Sequence, residues 1–209
     1  MSVYYFNGSP IAAPLTIKSN EPTFDVDTIS LAKQRSSQGS QRWELSFNVL
    51  TADNAMELFM SGINKTGGTG FTEAASMIMP QIASNGVTVA GSNGIVTNAF
   101  SSAHVSQVDI DMTSGTGTTN TGTIKRGYFI KFGNHSKIYV VTEDCTLAGP
   151  APTLKFYPNL VNSVITATTV LIGDSVTLSY WRDISDIKGI TFSDGILSSP
   201  GTINLVESV

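Results

Sequence analysis

The stretch Arg42–Val49, RWELSFNV, decides the fold class. Trp43, Leu45, Phe47 and Val49 fall on one side of an extended chain, and Arg42, Glu44, Ser46 and Asn48 fall on the other. That alternation is what a strand needs when one face packs on a core and the other meets water, because successive side chains leave the pleat in opposite directions. A helix would scatter the same residues around its circumference. Working outward, shorter versions of the pattern return at Val108-Ile110-Met112, Tyr128-Ile130-Phe132, Leu154-Phe156 and Val176-Leu178-Tyr180, each bounded by Gly, Asn, Pro or Asp. These segments predict a mainly β, antiparallel protein.

One segment breaks the rule. Asn54 with Glu57 three positions on has the form of a capping box, and Met56, Phe59, Met60 and Ile63 follow at helical spacing. Gly62 and the Lys65-Thr66-Gly67-Gly68 stretch stop it, so a helix is predicted over 54–63, its apolar stripe packed on a sheet. Farther on, Ala74 to Val108 contains no charged residue. A long solvated loop would carry several, so part of this segment is expected to be covered, with Met77, Ile78 and Met79 as candidate assembly contacts. Thr113 to Thr123, TSGTGTTNTGT, is too polar and small to fill a core and reads as a flexible loop or domain boundary.

Composition narrows the function. The chain has 209 residues, of which 12 are basic and 16 acidic; this 13% charge compares with about 25% in an ordinary soluble domain. A surface so poor in charge suits a part of an assembly better than a free enzyme. The net charge of −4 argues against a phosphate-binding stripe. A single cysteine, Cys145, excludes an internal disulfide, and two histidines, His104 and His135, are too few for a Cys/His zinc site. Met1–Pro10 has neither a basic nor an apolar secretion region, and the longest apolar run, Leu160–Ile172, is too short to span a bilayer, so no membrane role is expected.

Catalytic patterns are scarce. The chain lacks G-x-x-x-x-G-K-[ST], G-x-S-x-G and H-E-x-x-H, the minimal sequences for a phosphate cradle, a nucleophile elbow and a zincin. The carboxylate pairs Asp109/Asp111, Glu143/Asp144 and Asp183/Asp186 could serve a glycosidase, but the first reads as the polar face of a strand and the others as turn residues. Cys145 reads as a small buried hydrophobe. Tyr4-Tyr5-Phe6 and Tyr180-Trp181 could stack on sugar rings, although strand aromatics more often fill cores.

A resemblance sharpens this reading. The stretch Lys125–Tyr157, KRGYFIKFGNHSKIYVVTEDCTLAGPAPTLKFY, has a strand from Gly127, a tight turn at Gly133-Asn134-His135-Ser136, a partner strand from Lys137 to Thr142, an acidic glycine-containing loop and a further strand. It resembles a small β-barrel of tailed-bacteriophage tail proteins. RWELSF at Arg42–Phe47 looks like a strand of a tail-tube or distal-tail ring domain, and GITFSDGILSSPGTINLVE, Gly189–Glu207, is similar to the closing strands of such proteins. The resemblance covers about half the chain and implies an antiparallel, tail-tube-like β-sandwich with one helix plus an appended or inserted barrel. In this arrangement a tube-like domain occupies 1–115, contains the helix 54–63 and is completed by 184–209, while the barrel occupies 122–182.

The resemblance implies a virion structural protein of the tail, assembled in the host cytoplasm, with no catalytic residues, cofactor or metal. Six copies would close a ring in the tail tube or baseplate hub, partnered by other tube, sheath or baseplate proteins, with genomic DNA passing through unbound. A wall that lets DNA pass should be neutral or acidic, which makes Glu44, Asp109 and Asp111 the lumen candidates. The alternative reading is a carbohydrate-binding tail-tip or adhesin module, and a third is a small glycan-cleaving enzyme.

Overall fold

In the computed structural model, Arg42–Val49 is a strand with the alternation its sequence dictates: Trp43, Leu45, Phe47 and Val49 are buried, Glu44 and Ser46 half-buried, Arg42 and Asn48 exposed. The structure describes residues 4–6, 8–27, 33–37, 40–49, 76–81, 87, 95–111, 113–114, 118–148, 151–182, 191–193, 196–199 and 201–209. The helix expected over 54–63 lies outside the described residues.

The first strands are β1 (Tyr5–Phe6), β2 (Ser9–Asn20), β3 (Thr23–Asp27), β4 (Lys33–Ser37), β5 (Arg42–Val49) and β6 (Ser76–Ile78). The middle of the chain holds β7 (Ile95–Thr97), β8 (Gln107–Asp111), β9 (Thr113–Ser114), β10 (Thr118–Thr119), β11 (Thr123–Ile124), β12 (Phe129–Phe132), β13 (Ile138–Val141), β14 (Cys145–Thr146), β15 (Thr153–Tyr157) and β16 (Thr169–Ile172). β17 (Thr177–Arg182), β18 (Thr191–Ser193), β19 (Ile196–Ser199) and β20 (Ile203–Glu207) complete it. The protein is mainly β, and its sheets are antiparallel.

Two compact units divide the chain. One comprises Met1–Met77 and Ser179–Val209, the other Ile78–Leu178. The first is built on a six-stranded sheet in the order β1-β2-β5-β20-β17-β6. β20 returns from the chain's end to pair with β5, matching Leu205 to Leu45 and Ile203 to Phe47. With β2 on its other side, β5 is a central strand, so its apolar face is fully covered and its alternation is the sharpest in the sequence. Phe6 packs edge-on against Phe47, ring centroids 5.3 Å apart, and also meets Tyr180. The buried Glu207 accepts the Trp43 N–H through Oε2 at 3.1 Å, a bond that ties β20 to β5 in addition to the ladder.

The second unit is a closed barrel in the order β12-β13-β15-β8-β7-β16, β16 pairing back onto β12. Closure leaves its strands without free edges. Inside lie Ile95, Val108, Ile110, Ile130, Phe132, Tyr139, Val141, Leu154, Phe156 and Val170. The expected turn at Gly133-Asn134 joins β12 to β13. Before β12, Gly127 adopts φ +84°, a conformation side-chain-bearing residues seldom take, and donates its N–H to the Val141 carbonyl at 2.7 Å.

The observed division departs from the sequence expectation. The barrel unit begins at Ile78 rather than at 122, because closing the sheet between β15 and β16 requires β8 and β7, which precede the polar Thr/Gly stretch. Thr113 to Thr123 is therefore not a seam between domains: β9 pairs with β10 there, and β11 pairs with β14. The lack of charge in 74–108 also gains a cause. Met77, Met79, Pro80 and all of β7 are buried, and Val108 starts the core-facing row of β8.

Candidate assembly and binding surfaces

The lumen candidates differ in their surroundings. Glu44 stands on the outward face of β5, where Asn20 Nδ2 donates to its Oε1 at 2.6 Å and Lys18 Nζ lies 3.6 Å from Oε2. Its charge is thus locally compensated, which weakens it as an element of an acidic wall. Asp109 and Asp111 lie two apart on β8, opposite the buried Val108 and Ile110, and so share the outer face of the barrel instead of belonging to the tube-like domain. Asp109 is exposed and accepts the Thr153 hydroxyl at 2.7 Å on neighbouring β15. A hydroxyl partner leaves its charge in place.

The candidate assembly contacts separate into two kinds. Met77 and Met79 are buried within the chain, so their side chains are not open to a neighbour, and this corrects the expectation for both. Ile78 between them is exposed. Larger apolar exposure occurs elsewhere. On the barrel unit Ser101 and Val164 form an antiparallel bridge, and the residues next to it, Phe100 and Ile165, are 63% and 61% exposed. On the sheet unit Tyr5, Phe24, Val26 and Trp181 are exposed.

The aromatic pairs proposed for sugar stacking split the same way. Phe6 is buried and the half-buried Tyr180 packs against it, whereas Tyr5 and Trp181 are exposed on the other face of β1 and β17. Trp181 is 65% exposed and stands opposite Val206, which stands opposite Glu44, which stands opposite Lys18. Beside this row runs a second one, Asn204–Ser46–Thr16. Together Thr16, Lys18, Glu44, Ser46, Asn204 and Val206 edge a shallow groove of about 290 Å³ on the outward face of β2, β5 and β20.

Glu143 and Asp144 are occupied structurally. Glu143 pairs with Lys155 at 2.8 Å, and Asp144 accepts the Arg126 N–H at 2.8 Å. Asp183 and Asp186 lie outside the described residues. His104 is exposed, with φ 72°. Burial pushes the Cys145 thiol above its ordinary value, so it is a poor nucleophile. Among the described residues no group of three or more His, Cys, Asp and Glu is placed to hold a metal ion, and no helix is long and apolar enough to cross a membrane.

His135 sits in the expected turn between β12 and β13. Its turn position suggests exposure, yet it is buried, its ring edge-on to Phe132 and beside Tyr139. Burial lowers its pKa, while the Ser163 carbonyl works in the opposite direction. In the neutral tautomer that fits the network, the Tyr139 hydroxyl donates to Nδ1 at 2.8 Å, and Nε2–H points to the Ser163 carbonyl at 3.5 Å. The same hydroxyl accepts the Val161 N–H, and Asn134 Nδ2 donates to Ser163 O at 3.0 Å. The β12–β13 turn thereby holds the loop at 158–165 that carries Val161 and Ile165.

No protein-family model matches the chain, and no curated protein matches it.

Proposed function

We propose that this chain is a virion structural protein that forms a ring, six copies closing around a lumen in a phage tail tube or baseplate hub. The observation that carries the reading is large apolar side chains left exposed on both units of a chain with only 13% charged residues. Scattered single apolar residues are ordinary, but Phe100 and Ile165 flank the same bridge and are both exposed, which favours protein contact. In a cyclic assembly each copy's patch meets a different patch on the next, and closure leaves none free. The resemblance of RWELSF and Gly189–Glu207 to ring-domain strands supports the same reading, with β5 and β20 side by side in one sheet.

Under this proposal DNA traverses the ring without being bound. Six copies of net charge −4 give about −24, the sign that avoids holding phosphates. Asp109, which accepts from a neutral hydroxyl, is a stronger lumen candidate than Glu44, which shares its charge with Lys18, and Asp111 lies on the same barrel face as Asp109. Light scattering across a concentration series, alone and with neighbouring tail proteins, tests the ring. A hexameric mass is expected, and a strict monomer under both conditions overturns it.

A further inference from the structure

The outward face of the sheet unit combines a flat aromatic side chain with a groove edged by hydrogen-bonding groups. Trp181 is not itself part of the groove wall, but it stands opposite Val206, a wall residue, one strand spacing of about 5 Å away on the same face, so a ligand longer than one sugar ring can reach both. We propose that this face is a carbohydrate-binding site, taking a neutral oligosaccharide whose sugar ring stacks on Trp181 while its neighbouring hydroxyls reach the Asn204–Ser46–Thr16 row.

The chemistry selects that ligand. The apolar C–H face of a pyranose carries slight positive charge and meets the negative face of an indole, a large and rigid surface that binds at low entropic cost. Hydroxyl, amide and carboxylate groups beside such a platform supply both donors and acceptors, matching a polyhydroxylated chain. Lys18 and Glu44 compensate one another 3.6 Å apart, so the groove offers no net charge to attract an anionic polymer such as nucleic acid. At about 290 Å³ it lies at the small end of ligand sites and is open, as a site for a short stretch of a longer chain would be. The surroundings are preformed: Leu45 and Leu205 anchor the floor from the core side, and Trp181 is held in register by the β17–β20 ladder. This inference takes Trp181 out of the exposed side chains that the ring reading uses, leaving Tyr5, Phe24 and Val26 to it on that unit, and either reading can then fail alone.

The chain's two tryptophans allow a test without mutation, because Trp43 is 7% exposed and Trp181 65%. Iodide quenching of the full chain should report Trp181 almost entirely. Maltohexaose, cellohexaose and the tetramer of N-acetylglucosamine are each titrated, with binding measured in parallel by calorimetry. At least one is expected to bind saturably and to protect the exposed tryptophan from iodide. Trp181→Ala should weaken that binding about tenfold or more, and Trp181→Tyr should retain most of it. Absence of saturable binding for all three probes overturns the proposal, as does binding that Trp181→Ala leaves unchanged. Quenching that falls with protein concentration in the absence of sugar also overturns it, since a second copy would then cover Trp181.

Discussion

The barrel and the open sheet use the same strand alternation and end in opposite conditions. In the barrel, curling β12-β13-β15-β8-β7-β16 onto itself satisfies every strand edge and encloses Phe132, Tyr139 and Phe156 in mutual edge-on contacts between 5.2 and 5.4 Å. In the open sheet, β5 buries one face, while the other displays Trp181, Glu44 and Ser46. Both units also bury polar groups, the barrel in the His135–Tyr139 pair and the sheet in Glu207 and Arg182; what differs is whether the sheet's edges are closed.

The largest effects should come from the two cores, and comparing them tests whether closure matters. Phe132→Ala and Trp43→Ala should each cost about 3–5 kcal/mol in urea denaturation, since both remove buried aromatic rings. A Trp43→Ala protein with unchanged stability would mean that the buried face of β5 contributes little, and the equivalence of the two units would be broken. Tyr139→Phe should cost about 1–3 kcal/mol, because it leaves the Val161 N–H and His135 Nδ1 without their shared hydroxyl.

Acid should act on the barrel through His135. Its folded-state pKa lies below the ordinary 6.5, so the unfolded chain takes up the proton first. The stabilisation is complete above 6.5 and is lost as pH falls through the folded-state value. Urea midpoints followed from pH 8 downward should decline below 6.5 in the wild type, and His135→Gln should remove that part of the decline. An identical decline in His135→Gln would assign it to other groups.

The smallest effects belong to the outward faces. Lys18→Ala should change stability by about 0–1 kcal/mol, because the pair it forms with Glu44 is partly exposed. Replacing Asp109 and Asp111 with lysine should leave folding and ring formation nearly intact and slow DNA ejection in a salt-dependent way. Unchanged ejection with intact rings would remove both residues from the lumen.

These outcomes depend on features that differed in how openly the sequence showed them. β5, β12, β15 and β17 were legible because each alternates over enough residues to outweigh chance, and Val176-Leu178-Tyr180 facing inward already implied that Trp181 faces out. The barrel's membership was hidden by β7. Ile95, Val96 and Thr97 are all buried, so that strand shows no alternation, and its pairing with β8 and β16 is a consequence of closure that local periodicity cannot carry. The turn holding His135 was legible, but its burial was not, because a turn ordinarily faces solvent whereas this one folds back on Tyr139. The groove on the outward face needed β20 beside β5, a contact across most of the chain's length.

Negative-stain electron microscopy of the purified full chain tests the ring directly. Rings with sixfold symmetry and an open centre are the predicted result. Compact single subunits at every concentration, with neighbouring tail proteins present, would contradict it.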